Sequence, residues 1–183
     1  DQHPEMAKWD AVQPTVIRNN RFRCDHGWDI DLDDGSSNYH IYNNLCLNGG
    51  IKLREGLFRT VENNIMVNNS FHPHVWFRES EDVFRRNIVS SAYQPIRLQG
   101  WGKEVDYNLL PDAAALEKSR ALGLDSHSAA GDPGFVDPAQ GDFRVKEGSP
   151  ALGVGFENFD MDFGVESPAL RARVARRNDD PGL

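Results

Sequence analysis

Residues 28–56 read WDIDLDDGSSNYHIYNNLCLNGGIKLREG and contain one short motif twice, as Ile30-Asp31-Leu32-Asp33-Asp34-Gly35 and Ile51-Lys52-Leu53-Arg54-Glu55-Gly56. In both copies aliphatic residues alternate with charged ones, which is the pattern of a strand with one apolar and one polar face. The pattern returns at Val75-Trp76-Phe77-Arg78-Glu79-Ser80 and at Ile96-Arg97-Leu98-Gln99-Gly100, so the starts 30, 51, 75 and 96 are 21, 24 and 21 residues apart. A second column keeps the same period: Asn20, Asn44, Asn64, Asn87 and Asn108 are spaced by 24, 20, 23 and 21. Three residues before each Asn stands an apolar side chain (Ile17, Ile41, Val61, Phe84, Val105), and two residues after it another (Phe22, Cys46, Met66, Val89, Leu110).

A repeat of this length with short strands and no helix of its own is the mark of a solenoid whose coils stack as parallel sheets. The expected architecture is an all-β, right-handed parallel β-helix, a single-stranded solenoid with inward aliphatic columns and the asparagines stacked as a hydrogen-bonded ladder at a turn. The leucine consensus of the rival leucine-rich horseshoe is absent. The expected coils run over residues 15–35, 38–56, 59–80 and 82–100, with a fifth beginning at Lys103 and interrupted by an insertion at 111–130. Within that insertion AAALEKSRAL (113–122) predicts a short helix, with Asp112 as N-cap after Pro111 and Gly123 as its stop. A final coil and tail at 131–183 is rich in Gly, Pro and Asp. Phe143-Arg144-Val145-Lys146-Glu147-Gly148 there repeats the strand motif, and the basic residues 171, 173, 176 and 177 mark a helical turn or a frayed end.

At 183 residues the chain is most simply one domain. A net charge of -8 and a pI near 5.2 argue against nucleic-acid and anionic-membrane partners, which need a basic footprint. No apolar run reaches the roughly 18 residues that span a bilayer. The opening DQHPEMAKWDAVQP leads into the first coil without a recognisable cap, which suggests a processed chain or the C-terminal part of a longer one, and makes homo-oligomerisation through the first coil a possibility to test. Cys24 and Cys46 fall in different columns and read as small buried apolar residues.

Stacking is expected to set the outward side chains of successive coils about 4.8 Å apart. Asp29, Asp31 and Asp33 would then share an outer face with Lys52 and Arg54, Trp76 and Arg78, and Arg97 and Gln99, with Asp34, Glu55 and Glu79 in the turn column. His26, Trp28, His72, His74 and Tyr93 would rim that face and Trp101 would lie beyond its other edge. Paired carboxylates, histidines and aromatic platforms are what carbohydrate chemistry uses. For a glycosidase the expected pair is Asp33, a nucleophile kept ionised beside Arg54, and Glu55, the general acid/base; Asp31 and Asp34 are alternative nucleophiles. Carboxyl groups on adjacent coils suit the roughly 5–5.5 Å separation of a retaining mechanism. The bland reading of the same residues is a turn glutamate and a solvated ion-pair ladder.

No cofactor and no metal site is expected. Asp29-x-Asp31-x-Asp33-Asp34-Gly35 lacks the residues of a helix-loop-helix calcium loop, which leaves a calcium ion held between two coils as the remaining metal reading. His72-Pro73-His74 is a poor chelating geometry.

HGWDIDLDDGSSNYHIYNN (26–44), GGIKLREGLFRTVENN (49–64), HPHVW (72–76) and GDPGFVDPAQGDFRVKEGSPAL (131–152) together resemble the C-terminal coils of secreted bacterial β-helix carbohydrate enzymes of the pectate-lyase-like superfamily. The nearest resemblance is to the β-helical glycoside hydrolases that include the β-xylosidase and α-fucosidase/xylanase groups. It implies a catalytic Asp among Asp31, Asp33 and Asp34 and a catalytic Glu at Glu55; the substrate-binding residues expected beside them, from the stacking of the coils, are His26, Trp28, Arg54, His72, His74, Trp76, Arg78, Glu79, Arg97 and Trp101. It also implies an oligo- or polysaccharide substrate, a secreted or periplasmic location, and further coils before these. A β-helical polysaccharide lyase is the alternative, but its proton-abstracting base would fall on a coil that offers Asp31, Asp33 and Asp34, and acidic side chains repel a polyuronate. A non-catalytic glycan-binding or structural β-helix is the third reading.

Overall fold

In the computed structural model, which describes residues 3–9, 11–161 and 163, the asparagine column organises the coil. Each ladder Asn is buried from Asn44 to Asn108 and performs the same task. The Asn64 amide donates to Asn87 Oδ1 (3.0 Å) and to the Ile41 and Glu62 carbonyls (both 3.0 Å), while its Oδ1 accepts from the Asn44 backbone N–H and amide (both 3.0 Å). The residue before each ladder Asn takes a left-handed conformation, with φ of 53° at Asn19, 54° at Asn43, 56° at Asn63, 54° at Arg86 and 57° at Tyr107. Asn enters that region more readily than most residues. A sharp corner results, and the chain turns there from one sheet to the next.

Three parallel sheets form the walls. The first contains Thr15–Arg18, Tyr39–Tyr42, Arg59–Glu62, Val83–Arg85 and Glu104–Asp106. The second contains Arg21–Phe22, Leu45–Cys46, Ile65–Met66, Ile88–Val89, Leu109–Leu110 and Ala129–Ala130. The third contains Ile30–Leu32, Ile51–Leu53 and Phe71–Pro73. The columns stack in register as expected: Ile17 on Ile41, Val61, Phe84 and Val105, and Phe22 on Cys46, Met66 and Val89. The chain is thus a parallel β-helix. Its core fills with these columns, with Ile30, Leu32, Ile51, Leu53 and Phe71 from the third sheet, and with Trp76.

The third coil departs from the expected register. Ile51 pairs with Phe71, Lys52 with His72 and Leu53 with Pro73, so the strand precedes the motif that begins at Val75. Val75 is itself left-handed (φ 53°), and the chain bends there. Trp76 consequently turns inward, fully buried, with its indole N–H donating to the Leu53 carbonyl at 2.9 Å. The fourth copy of the motif keeps only one bridge, between His74 and Ile96.

The predicted helix forms as Ala113–Arg120, capped by Asp112, whose carboxylate accepts from the Ala115 N–H. It is an insertion within a coil, because the second sheet resumes at Ala129–Ala130. The ladder ends there on a buried cluster: Asn108 donates to Ser128 Oγ (2.7 Å) and Asp125 Oδ1 (3.2 Å), and Asp125 also accepts from Tyr93 and Ser119. Burial raises the Asp125 carboxyl above the ordinary carboxylate range.

Beyond the helix, Asp142–Val145 pairs antiparallel with Phe135–Asp137, a hairpin where a further coil strand was expected. This segment returns over the outside of the second sheet. Phe143, Val145, Ala151, Val154, Phe156 and Phe159 pack on the outward column Leu45, Ile65, Ile88 and Leu109. At the other end of the chain, Pro4–Lys8 forms a 3-10 turn whose Lys8 ammonium sits 4.0 Å over the Phe58 ring. The basic tail at 171–177 lies outside the described residues.

Candidate functional site

On the outer face of the third sheet the alternation sends Asp31, Lys52 and His72 outward in register, and one pleat further on Asp33, Arg54 and His74. The Lys52 side chain is only 6% exposed, with its ammonium 3.0 Å from Asp31, 3.2 Å from Asp33 and 4.3 Å over the Trp28 ring. A cation that dry needs such partners. Arg54 reaches three carboxylates: Asp33 at 3.2 Å, Asp34 at 2.9 Å and Glu55 at 3.7 Å. Asp33 therefore sits between two cations, and hydrogen bonding from Lys52 first and Arg54 second holds its carboxyl below the usual range. The four predicted catalytic residues, Asp31, Asp33, Asp34 and Glu55, are brought together around Lys52 and Arg54.

The wall of this face is aromatic. Trp28 meets His72 (6.0 Å) and His74 (5.7 Å) edge-on, and the two imidazoles stand 6.0 Å apart. Burial, then the neighbouring His74, pushes His72 down to about 4; burial and the Lys52 charge lower His74 as well. Asn69 Oδ1 accepts from Ser70 N–H while its amide donates to the Asn48 carbonyl, so the 2.7 Å contact to His72 Nε2 makes that nitrogen the protonated one. His72 Nδ1 is left as an acceptor. His74 Nε2 is buried without a hydrogen-bond partner. Beyond the wall lies an open depression of ≈ 540 Å³ bordered by Asp25, His26, Trp28, Asn48, Asn69 and His72.

Trp28 is set in place by Asp29. Its carboxylate accepts backbone N–H groups from Cys24 (2.6 Å), Asn48 (3.1 Å), Gly49 (2.7 Å) and Gly50 (3.2 Å). A side chain at Gly49 would meet the Asp29 nitrogen at 2.2 Å, so this close crossing of two coils needs glycine. Asp29 is thus a turn-binding residue and not part of the charged outer face.

Several other expected members lie elsewhere. Trp76 belongs to the core and offers no sugar platform. Trp28 does not present a free face on the side where Lys52 sits. Arg78, Glu79 and Arg97 are exposed beyond the bend, and among the described residues no ion pair joins them to the cluster. Arg97, at φ 53°, belongs to a bend and not a strand. Trp101 packs half-buried, 6.4 Å from Tyr93, and the buried Tyr93 hydroxyl donates to Asp125 instead of rimming the face. Cys24 is half-buried where burial was expected; Cys46 is fully buried, which pushes its thiol up, and both are free.

Sequence reasoning named Lys52 as an outer-face residue but gave it no site role, and it missed Asn69, Arg59 and Asp82. Lys52 was legible as the residue that alternation sets beside Asp31. Arg59 and Asp82 stand 23 residues apart, one coil, but only burial reveals that they meet: Arg59 Nη2 donates to Asp82 at 2.6 Å with both side chains at 0% exposure. Among the described residues no three His, Cys, Asp or Glu side chains converge to hold a metal ion, and no helix is long and apolar enough to cross a membrane. No protein-family model matches the chain, and no curated protein or solved structure matches it either.

Proposed function

We propose that the charged outer face of the third sheet is the active face of a glycoside hydrolase acting on an oligo- or polysaccharide. The observation that carries this reading is Asp33, a carboxylate held ionised at the surface by Lys52 and Arg54, with Glu55 on the adjacent coil at the same guanidinium. An ionised Asp beside a second carboxyl group is the minimal apparatus of retaining hydrolysis. Asp33 attacks the anomeric carbon as the glycosidic C–O bond breaks, and Glu55 delivers its proton to the departing oxygen. Water then takes the sugar from Asp33, returning a proton to Glu55. Asp31, held by Lys52, and the exposed Asp34, held by Arg54, are less suited, because neither is bound by both cations. His72 Nδ1 supplies a neutral acceptor for sugar hydroxyls. The resemblance to the β-helical glycoside hydrolases supports the same assignment, and with it a secreted or periplasmic place of action. No cofactor is called for in this scheme.

One observation favours a second reading. Asp31, Asp33, Asp34 and Glu55 all lie within reach of Lys52 or Arg54, so each carboxylate is engaged in an ion pair, and such a network suits a module that binds glycans without cleaving them. The lyase reading is weaker still, since the bases it would need are already bound to Asp31 and Asp33.

Aryl β-xyloside, α-fucoside and α-arabinofuranoside are the substrates with which to test this, on the wild type, Asp33→Asn and Glu55→Gln. Turnover in the wild type and a loss of about 10²–10⁴-fold in both variants, with folding retained, is the expected result. Unsaturated products from a uronate polymer would establish the lyase instead. Glycan binding with no turnover in any form would establish the module.

A further inference from the structure

Arg59 and Asp82 are both fully buried, and such a pair is a poor source of stability compared with apolar residues of the same volume. Its donors show what else it does. Arg59 Nε and Nη2 hold Asp82 at 3.1 and 2.6 Å, and the Arg59 N–H adds a third bond to the same carboxylate. The remaining guanidinium donors point at the backbone of two turns. Nη1 contacts the Arg54 carbonyl, the Glu55 carbonyl at 3.1 Å and the Ser36 carbonyl at 3.5 Å; Nη2 contacts the Gly56 carbonyl at 3.5 Å.

The first turn carries Glu55. The second belongs to Asp33, whose carbonyl accepts from Ser36 N–H (3.2 Å) and Ser36 Oγ (2.8 Å). Ser37 Oγ also accepts from the Leu57 N–H at 2.9 Å, lacing the same two turns from the side. Gly56, at φ +138°, makes the approach possible, since a side chain there would lie 2.5 Å from the Ser36 carbonyl and 2.9 Å from Arg59 Nη1.

We propose that Arg59, charge-balanced by Asp82, is a positioning residue that sets the separation of Asp33 from Glu55 by clamping the turns that carry them. Its catalytic consequence rests on the hydrolase reading, because that separation decides whether a carboxylate attacks directly or a water fits between. Its geometric content does not. A lysine at 59 keeps the charge opposite Asp82 but has no fork with which to hold several carbonyls at once.

The test compares Arg59→Lys, Asp82→Asn and the apolar double variant Arg59→Met/Asp82→Leu with the wild type, each below its own Tm. The expected result is a folded protein whose kcat falls by about 10²-fold, as for a catalytic group displaced by about 1 Å, while KM stays near the wild-type value. A merely structural pair lowers Tm and leaves kcat per folded molecule unchanged, and that outcome overturns the proposal. A second readout needs no turnover. In ¹³C-carboxyl NMR titration the low Asp33 midpoint, maintained by hydrogen bonds from Lys52 and Arg54, moves in Arg59→Lys because the turn that carries Arg54 is no longer held. An unchanged midpoint overturns the clamp whether or not the protein is a hydrolase. Loss of folding in all three variants also overturns it, since the pair then serves the fold alone.

Discussion

His72 couples the site to pH. Burial holds its pKa at about 4 in the folded chain, against the ordinary value of 6.5, so between these two the unfolded chain binds the proton and the folded chain does not. Stability therefore rises with pH across that window and falls as the solution is acidified from 6.5 towards 4, and the lowered His74 acts in the same direction. Asp33 also adds to acid lability, with the opposite kind of group: its folded pKa is depressed, so its contribution is present above the unfolded value and lost as pH falls through the folded one. The prediction is that Tm of the wild type drops between pH 6.5 and 4 and that His72→Gln, which keeps a donor for Asn69, drops less. Equal drops in thermal melts at several pH values would refute the assignment. The same residue shows how site chemistry arises here: an ordinary imidazole stays a neutral acceptor down to about pH 4 because partial burial and the neighbouring His74 disfavour its charged form.

The ladder is the element that ties each coil to the next. In Asn64→Ala the buried Asn44 N–H loses its acceptor and the amide bonds to Ile41 and Glu62 vanish. Each stranded buried group costs about 1–3 kcal/mol, so the variant should lose about 3 kcal/mol or more of unfolding free energy. Asn20 stands in the first described coil, where its side chain donates to Asn44 and to the Arg18 carbonyl and, among the described residues, accepts no hydrogen bond. Asn20→Ala should cost about 1 kcal/mol, the worth of an ordinary hydrogen bond. Urea unfolding of the two variants measures the difference, and equal losses would show that the ladder does not act as a stacked column. The left-handed corner belongs to the same element: Asn19, Asn43 and Asn63 suit it, whereas Arg86 and Tyr107 accept it because the ladder bonds on either side hold the backbone there.

At the scale of the whole molecule, the loop-rich segment after the helix is a cover for the second sheet. It buries Leu45, Ile65, Ile88 and Leu109, which a bare β-helix would expose as an aliphatic stripe. Asn63 and Glu157 exchange reciprocal hydrogen bonds of 2.9 and 2.8 Å across the same junction. Phe156, fully buried in this seam, should cost about 3–5 kcal/mol when replaced by Ala. If cover and coils form one cooperative unit, far-ultraviolet circular dichroism and tryptophan fluorescence should follow a single shifted urea transition. An early separate transition, with the coils unaffected, would make the cover an accessory.

The periodic sequence by itself determined the parallel β-helix, because a residue that must hydrogen-bond its counterpart one coil away can recur only at coil length, and the Asn column does so. Alternation in two adjacent, equally registered strands also placed Asp31 and Asp33 on one face with Lys52 and Arg54, whereas Asp34 and Glu55 join them from the turns through the Arg54 guanidinium. The third coil was readable in principle: seven residues separate Asn44 from Ile51 and Asn64 from Phe71, an offset that the more conspicuous Val75 motif concealed. What only the tertiary structure decided are contacts made by side-chain direction after the chain has bent: Trp76 turned into the core, the Phe143 strand closed as a hairpin, Lys52 under Trp28, and Arg59 holding Asp82 beneath two turns. Local pattern is blind to these because the same residue faces solvent or core according to a single left-handed φ upstream, and a buried charge is identified only by the partner that the stacking brings to it.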